Sequence, residues 1–256
     1  MTRIFSPYEQ EHLRRFDHSD LENDCGEMPV EYITGKVEFG GLVFKVTRDT
    51  LIPRVESEEI VRLGLDFVRT FPSTPRLDVA DIGCGCGALG ISLVATIVKR
   101  QPQRQITLTL TDNSEKALEV ARGNAQKLLP DTVQTIFHQS DLLERLNDES
   151  FDVILANLPY IPSARIPSLD ESVREFEPLL ALDGGPDGTE IIRRFLIQTP
   201  PFLKPGGLII LEVDDSLRPD DLLPEASGFE IEMKRDLFGR NRFALLNFTP
   251  LVRKLV

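Results

Sequence analysis

The sequence predicts an α/β fold: a seven-stranded, mostly parallel sheet with helices on both faces, finished by a C-terminal antiparallel hairpin and preceded by a small N-terminal β-hairpin. Three observations carry that expectation. From residue 76 onward short apolar runs alternate with amphipathic stretches, the pattern of strand-helix-strand units on a parallel sheet. The last two apolar runs follow one another with no helical stretch between them. Near the start, Gly40-Gly41 separates two alternating stretches, as a tight turn would.

In chain order, the first thirty residues are polar and predict a short helix or no regular structure. EYITGKVEFGGLVFKVTRDTLIPR (31–54) holds the hairpin, and VESEEIVRLGLDFVRTF (55–71) predicts an amphipathic helix between Pro53 and Pro72. RLDVADIG (76–83) predicts a buried strand, ALGISLVATIVKR (88–100) a helix, and QITLTLTD (105–112) a second strand. SEKALEVARGNAQKLL (114–129) predicts a helix capped by Ser114. VQTIFHQSD (133–141) and FDVILAN (151–157) predict two more strands. A helix over 188–202, a strand over 206–213 and closing strands over 229–235 and 242–248 complete the chain.

Composition narrows the function classes. The 256 residues are 41% hydrophobic and 27% charged, enough for one main domain. No window approaches the roughly 18 apolar residues of a membrane span, and MTRIFSPYEQEHLRRF lacks the apolar centre of a secretory signal. A cytoplasmic protein is expected, with an organellar location, such as mitochondrial, as the alternative that the basic start leaves open. The net charge of −12 repels phosphate backbones, so no stable nucleic-acid binding is expected, and no membrane partner either. Cys25, Cys84 and Cys86 are too few for a disulfide framework, and a zinc reading of Cys84 and Cys86 lacks two ligands, with only His12, His18 and His138 to supply them. No metal site is expected, and the oligomeric state is left open.

DIGCGCGALG (81–90) joins the first parallel strand to its helix, and Gly85, Gly87 and Gly90 satisfy the dinucleotide pattern G-x-G-x-x-G. Asp112, ending the next strand, could accept hydrogen bonds from a ribose diol. Asp81 separates two kinds of ligand. A pyrophosphate on the helix N-terminus would meet like charge there, which weighs against an oxidoreductase binding a dinucleotide. A ligand with positive character fits better. S-adenosylmethionine carries an ammonium and a sulfonium and no phosphate, and Asp141, ending the third strand, would face its adenine side. Acids that merely cap turns are the bland alternative for any one of the three.

ANLPYIP (156–162) delivers Asn157 to the same sheet edge, beside the methyl group of such a cofactor. An amide or exocyclic amine nitrogen is a poor nucleophile because its lone pair is delocalised. If the Asn157 side-chain oxygen and the Leu158 backbone carbonyl each take one substrate N–H, the nitrogen is held with its lone pair toward the methyl group, and positive charge developing on it is stabilised. Pro159 fixes the backbone and removes a competing donor. Tyr160 would supply an aromatic wall.

These residues resemble the HemK/PrmC family of class I methyltransferases, Rossmann-like enzymes that methylate the glutamine side-chain amide of the Gly-Gly-Gln motif in peptide-chain release factors. The resemblance runs over residues 29–248. PVEYITGKVEFGGLVFKVTRDTLIPRVESEEIV (29–61) is similar to the family's hairpin and its IPRPETE segment, DIGCGCGALGISL to its cofactor loop, ANLPYIP to its Asn-Pro-Pro-Tyr motif, and EPLLALDGGPDGTEIIRRFL (177–196) to a stretch typical of it. LKPGGLIILEV and DLFGRNRFALL resemble its closing strands. The resemblance implies an S-adenosylmethionine-dependent protein-glutamine methyltransferase with S-adenosylhomocysteine as product and a release factor as protein partner. It implies a short N-terminal segment with the hairpin over 1–54 and the methyltransferase domain over 55–256. It implies cofactor contacts from Gly83, Cys84, Asn113 and Leu142 beside Asp81, Gly85, Gly87, Asp112, Asp141 and Asn157, and a substrate entrance lined by Leu51 and Ile52 and closed on the far side by Glu177 and Pro178, beside Asn157, Pro159 and Tyr160.

The chain departs from the family pattern in four places. Leu158 and Val55 stand where the family has proline, EVDDS (212–216) lacks a usual glycine and glutamine, and the helical region before the hairpin is short. Asn-Leu-Pro-Tyr also resembles ribosomal-RNA adenine methylases. An adenine-N6 methyltransferase acting on RNA or DNA, with Tyr160 stacked on a flipped base, is therefore the alternative, and a cofactor-binding module without catalysis is a further one.

Overall fold

The computed structural model describes residues 3–18, 26–71, 74–147, 149–222 and 228–248; Cys25 and Pro72 fall outside them. The chain runs α1 (Pro7–Arg15), α2 (Val30–Thr34), β1 (Lys36–Phe39), β2 (Leu42–Lys45), α3 (Glu58–Thr70), β3 (Arg76–Ile82), α4 (Ala88–Arg100), β4 (Gln105–Asp112), α5 (Glu115–Leu128), β5 (Gln134–Gln139) and β6 (Phe151–Ala156). It continues as α6 (Glu171–Arg174), α7 (Glu190–Gln198), β7 (Leu203–Glu212), α8 (Pro219–Leu222), β8 (Phe229–Arg235) and β9 (Asn241–Phe248).

The expected architecture is present. Seven strands form one sheet in the order β5-β4-β3-β6-β7-β9-β8, parallel through β7 and antiparallel at β9 and β8. Side chains on a strand alternate between faces, and here both faces are apolar. Leu77, Val79, Leu108, Leu110, Val153, Leu155 and Ile210 enter one core with α3, α4 and α5, while Ala80, Ile82, Ile154, Ala156, Ile209 and Leu211 enter a second with α7.

Several element ends differ from expectation. The helix expected over 55–71 opens with a 3-10 turn, Val55–Ser57. The one expected over 188–202 is shortened to α7, with a 3-10 turn at Pro200–Phe202, where two prolines remove helical donors. The first thirty residues do hold a helix, α1, closed by a capping box in which Ser6 accepts from the Glu9 N–H and Glu9 accepts from the Ser6 N–H. No helix among the described residues is long and apolar enough to cross a membrane.

The N-terminal hairpin is fastened to the sheet layers. Val37, Phe39 and Phe44 are buried in the first core. Asn124 on α5, 1% exposed, accepts from the Lys45 N–H (2.8 Å) and donates to the carbonyls of Lys45 (3.0 Å) and Cys86 (2.9 Å). One amide thus clamps the hairpin to the glycine loop. Asn124→Ala leaves three backbone groups without their partner and is expected to cost about 2 kcal/mol, read as a lower urea midpoint with an unchanged m-value.

Candidate active site

Strand order places the site. β3 is flanked by β4 on one side and by β6 on the other, so the connections leave it in opposite directions and open a crevice at the carboxyl ends. Ile82 ends β3 opposite Ala156, which ends β6, so the glycine loop and Asn157 emerge side by side. A cavity of about 450 Å³ opens there, a volume typical of small-molecule sites. Of the expected residues, Leu51, Gly83, Cys84, Gly85, Asp112, Asn113, Asp141, Leu142, Asn157, Leu158 and Pro159 line it.

Gly83, Gly85 and Gly87 all have positive φ (66°, 54° and 81°), a conformation L side chains rarely adopt. A Cβ on Gly85 would meet nothing within 4 Å, so its backbone is open to an incoming group. Gly87 does not line the cavity. It caps α4 and is pressed between Ile91 and Leu110, making it a packing residue rather than the ligand contact expected from the sequence.

Asp81 is likewise displaced from its expected place. It is 1% exposed beneath the loop, where Oδ2 accepts the Gly90 N–H in the first turn of α4 (2.8 Å) and Oδ1 has no partner among the described residues. A helix N-terminus attracts a carboxylate, and that holds it inside. Burial pushes its pKa up to about 7, the Gly90 bond working against this and Asp112 adding to it. Asp81 therefore lies beneath the loop and not in the cavity wall.

Asp112 does line the cavity. Its Oδ2 accepts from the Gly85 N–H (2.8 Å) and its Oδ1 from the Ser114 N–H (2.9 Å), so the acid shapes the loop while keeping lone pairs free. Burial raises its pKa despite these bonds. Asp141 pairs with Arg194 (2.6 Å), which lines the same cavity. Leu142 beside it has φ 56°, a left-handed backbone at a non-glycine residue of the kind found at ligand sites. Cys84 and Cys86 are buried with thiols pushed up by burial, Cys86 to about 12, which disfavours the thiolate that nucleophile and metal chemistry require.

Asn157 donates through Nδ2 to Ser57 Oγ (3.3 Å), and its side-chain oxygen accepts nothing from any described residue. The Leu158 carbonyl is also unclaimed among them. Leucine in place of the family's proline has a packing role: the Leu158 side chain is 2% exposed, and a Cβ on Gly83 would come within 2.9 Å of it. Tyr160 departs from expectation. Its ring packs on the second core and its hydroxyl donates to Glu212 Oε1 (3.0 Å), so it is not a wall of the cavity; a buried carboxylate is a stronger acceptor than water at the mouth.

Ile52, expected at the substrate entrance, and Glu177, expected to close its far side, do not line the cavity. Glu177, 6% exposed, pairs with Arg54 (2.5 Å) and accepts the Ile52 N–H (3.3 Å), while Ile52 is buried. Leu51 and Pro178 line the cavity, and Leu179 and Leu180 stand exposed on the same rim. Sequence reasoning missed Ser57 and Glu212, which lie far from Asn157 in the chain. It also missed what the DGGPDG glycines do. A Cβ on Gly184 would meet the Pro159 carbonyl at 2.7 Å, and one on Gly188 the Tyr160 carbonyl at 2.4 Å. The Ile161 N–H donates to the Leu182 carbonyl (3.1 Å), and the Gly184 N–H to that of Ile161 (2.9 Å). The segment clasps residues 159–162 from outside, and only glycine lets it approach so closely.

Comparison with known proteins accords with this geometry. The family model of the methyltransferase small domain matches residues 64–167. A release factor glutamine methyltransferase of Bacillus subtilis is 34% identical over 249 residues, spanning 94% of this chain and 83% of the relative. One of Bradyrhizobium diazoefficiens is 42% identical over 215 residues, spanning 82% of this chain and 69% of the relative. A methyltransferase of Pyrococcus furiosus shares the fold at a TM-score of 0.52 and 20% identity, covering 81% of this chain and 89% of that one.

Proposed function

Because the chain belongs to the release factor glutamine methyltransferase family, we propose that it transfers a methyl group from S-adenosylmethionine to the side-chain amide nitrogen of a glutamine in a peptide-chain release factor, the glutamine of its Gly-Gly-Gln motif. The observation that carries this reading is the pair of unclaimed acceptors, Asn157 Oδ1 and the Leu158 carbonyl, at the edge of a cavity built for a small molecule.

The residues present fit the cofactor. The open backbone at Gly85, the free lone pairs of Asp112 and the Asp141–Leu142 turn would hold its methionyl, ribose and adenine parts in that order along the cavity. When bound, it supplies the methyl group and leaves as S-adenosylhomocysteine. Asn157 and Leu158 accept the two N–H groups of the substrate amide, which orients the nitrogen lone pair and stabilises the charge it acquires. Pro159 offers no N–H to compete for either acceptor. The amide proton becomes acidic once the new bond forms, so no strong base is needed in the site. Exposed Leu179 and Leu180 give the rim an apolar surface suited to a protein segment, and the acidic chain is poorly suited to RNA. The adenine alternative is not favoured, since the relatives are named for glutamine.

Asp81 gives this reading an electrostatic signature. Its raised pKa means that the folded chain binds the proton more tightly than the unfolded one, so stability falls as pH rises from the ordinary carboxylate range through about 7. Asp81→Asn keeps an acceptor for the Gly90 N–H and removes the charge. It is expected to flatten that pH dependence and to weaken S-adenosylmethionine binding roughly tenfold (~1.4 kcal/mol), measured by calorimetry at pH 8. Unchanged affinity would remove Asp81 from any part in cofactor choice.

The function itself is tested with labelled S-adenosylmethionine and three acceptors: an intact release factor, its Gln→Ala version and an adenine-bearing RNA. Label on the intact factor alone is expected. Label on the Gln→Ala factor or on RNA sinks the proposal.

A further inference from the structure

Glu212 ends β7 with 2% exposure, and both of its carboxylate oxygens are occupied. Oε2 accepts the Ser57 hydroxyl at 2.5 Å and Oε1 the Tyr160 hydroxyl at 3.0 Å. Ser57, also 2% exposed, accepts in turn from Asn157 Nδ2 at 3.3 Å. The four residues come from the turn before α3, the loop after β6 and the end of β7. A buried carboxylate costs several kcal/mol in desolvation unless hydrogen bonds and opposite charge offset it, and here the Ser57 and Tyr160 hydroxyls and the Arg242 guanidinium do so.

We propose that Glu212 is a positioning residue which acts through Ser57 to fix the orientation of the Asn157 amide, and that the same carboxylate anchors Tyr160 at the far end of the Asn-Leu-Pro-Tyr turn. This rests on the reading of Asn157 given above. An asparagine amide rotates in a broad, two-fold potential, so its partners decide which end faces the substrate. A hydroxyl carries one hydrogen. With that hydrogen committed to Glu212, Ser57 offers only lone pairs, and the NH2 end of Asn157 must turn to meet them. Oδ1 is then left as an acceptor for the substrate N–H.

The arrangement depends on an ionised Glu212. Burial pushes its pKa up, the Ser57 and Tyr160 hydroxyls and the Arg242 guanidinium from β9 hold it back, and Glu56 raises it further. Asp215 and Asp236 lie beyond on Arg242 itself. Once protonated, the carboxyl group can donate to Ser57, freeing the Ser57 hydrogen for Asn157 Oδ1, and the amide turns its acceptor away from the substrate. Activity is lost as pH falls through the Glu212 pKa.

The full chain is assayed for kcat, KM for the release factor, S-adenosylhomocysteine affinity and the pH profile of kcat. Ser57→Ala is expected to lower kcat about tenfold while KM and affinity stay within about twofold, and Ser57→Thr, which keeps the hydroxyl, to recover most of the loss. Glu212→Gln, which is neutral and carries a donor like the protonated acid, is expected to lower kcat across the pH range and to remove this ionisation from the acid limb. Parental kcat in Ser57→Ala or in Glu212→Gln, no recovery in Ser57→Thr, or the parental acid limb persisting in Glu212→Gln overturns the proposal. If Glu212→Gln does not fold, the two Ser57 variants decide. Asn157→Ala separates the failures: a loss there with none at Ser57 rejects only the relay, whereas parental activity in Asn157→Ala rejects the reading of Asn157 as well.

Discussion

Asn157→Ala is expected to lower kcat for methyl transfer to the release factor by about 100- to 1,000-fold, the range found when one preorganised partner of a developing charge is removed. The substrate nitrogen becomes positive as its bond to carbon forms, so an acceptor of its N–H strengthens on the way to the transition state, and its loss appears in kcat rather than in binding. Asn157 is half-buried and its amide is held by Ser57, so the acceptor is oriented before substrate arrives. Truncation leaves the sheet intact, because the strand ends at Ala156 and Leu158 supplies the buried packing. S-adenosylhomocysteine affinity and thermal midpoint should move little. Single-turnover rates beside calorimetric affinities check the division, and a variant that loses both equally would mean that Asn157 is a structural residue.

Gly188→Ala is expected to have the second-largest effect, through the backbone alone. Gly188 has φ 77°, and a Cβ there would lie 2.4 Å from the Tyr160 carbonyl and 3.0 Å from the Pro162 ring. The left-handed conformation costs an alanine about 1 kcal/mol, and a backbone carbonyl cannot swing aside as a side chain can. The clasp over residues 159–162 must therefore shift, moving the Leu158 carbonyl relative to Asn157. A fall in kcat of roughly 100-fold is expected, since displacement by about 1 Å costs that much in positioned catalysis, with the Gly85 and Asp112 side of the cavity and its cofactor affinity preserved. Steady-state kinetics and S-adenosylhomocysteine calorimetry check it. Parental kcat would show that the turn is held by other contacts.

The sheet is legible in the sequence because its strands carry near-continuous apolar runs and its helices carry a 3.6-residue period, two signals that are hard to confuse at these lengths. Their ends are less so. The stretch 133–141 reads as one strand, yet β5 closes at Gln139, with the Ser140 N–H making the last bond of the ladder to the Asp112 carbonyl. In the site, the glycine loop, Asp112 and Asn157 can be read because each sits at a strand end whose place follows from alternation. Ser57 and Glu212 cannot, because their meeting depends on β7 lying beside β6 and on α3 crossing that edge, 155 residues apart in the chain. Asp81, Tyr160 and Glu177 stand out as chemically special and are expected in the cavity, whereas each is turned inward to a partner: the Gly90 N–H, Glu212 and Arg54. A polar residue at a strand end can serve the ligand or the loop that holds the ligand, and only the three-dimensional neighbours distinguish them.

The most direct test of the account is the position of the transferred methyl group. The full chain is incubated with S-adenosylmethionine and an intact release factor, and the product is digested and sequenced by fragmentation mass spectrometry. One methyl group on the side-chain amide nitrogen of the Gly-Gly-Gln glutamine, absent when Asn157→Ala replaces the parent enzyme, is the predicted result. A methyl group on any other residue, or equal modification by Asn157→Ala, would contradict the claim that Asn157 and the Leu158 carbonyl present a glutamine amide for methylation.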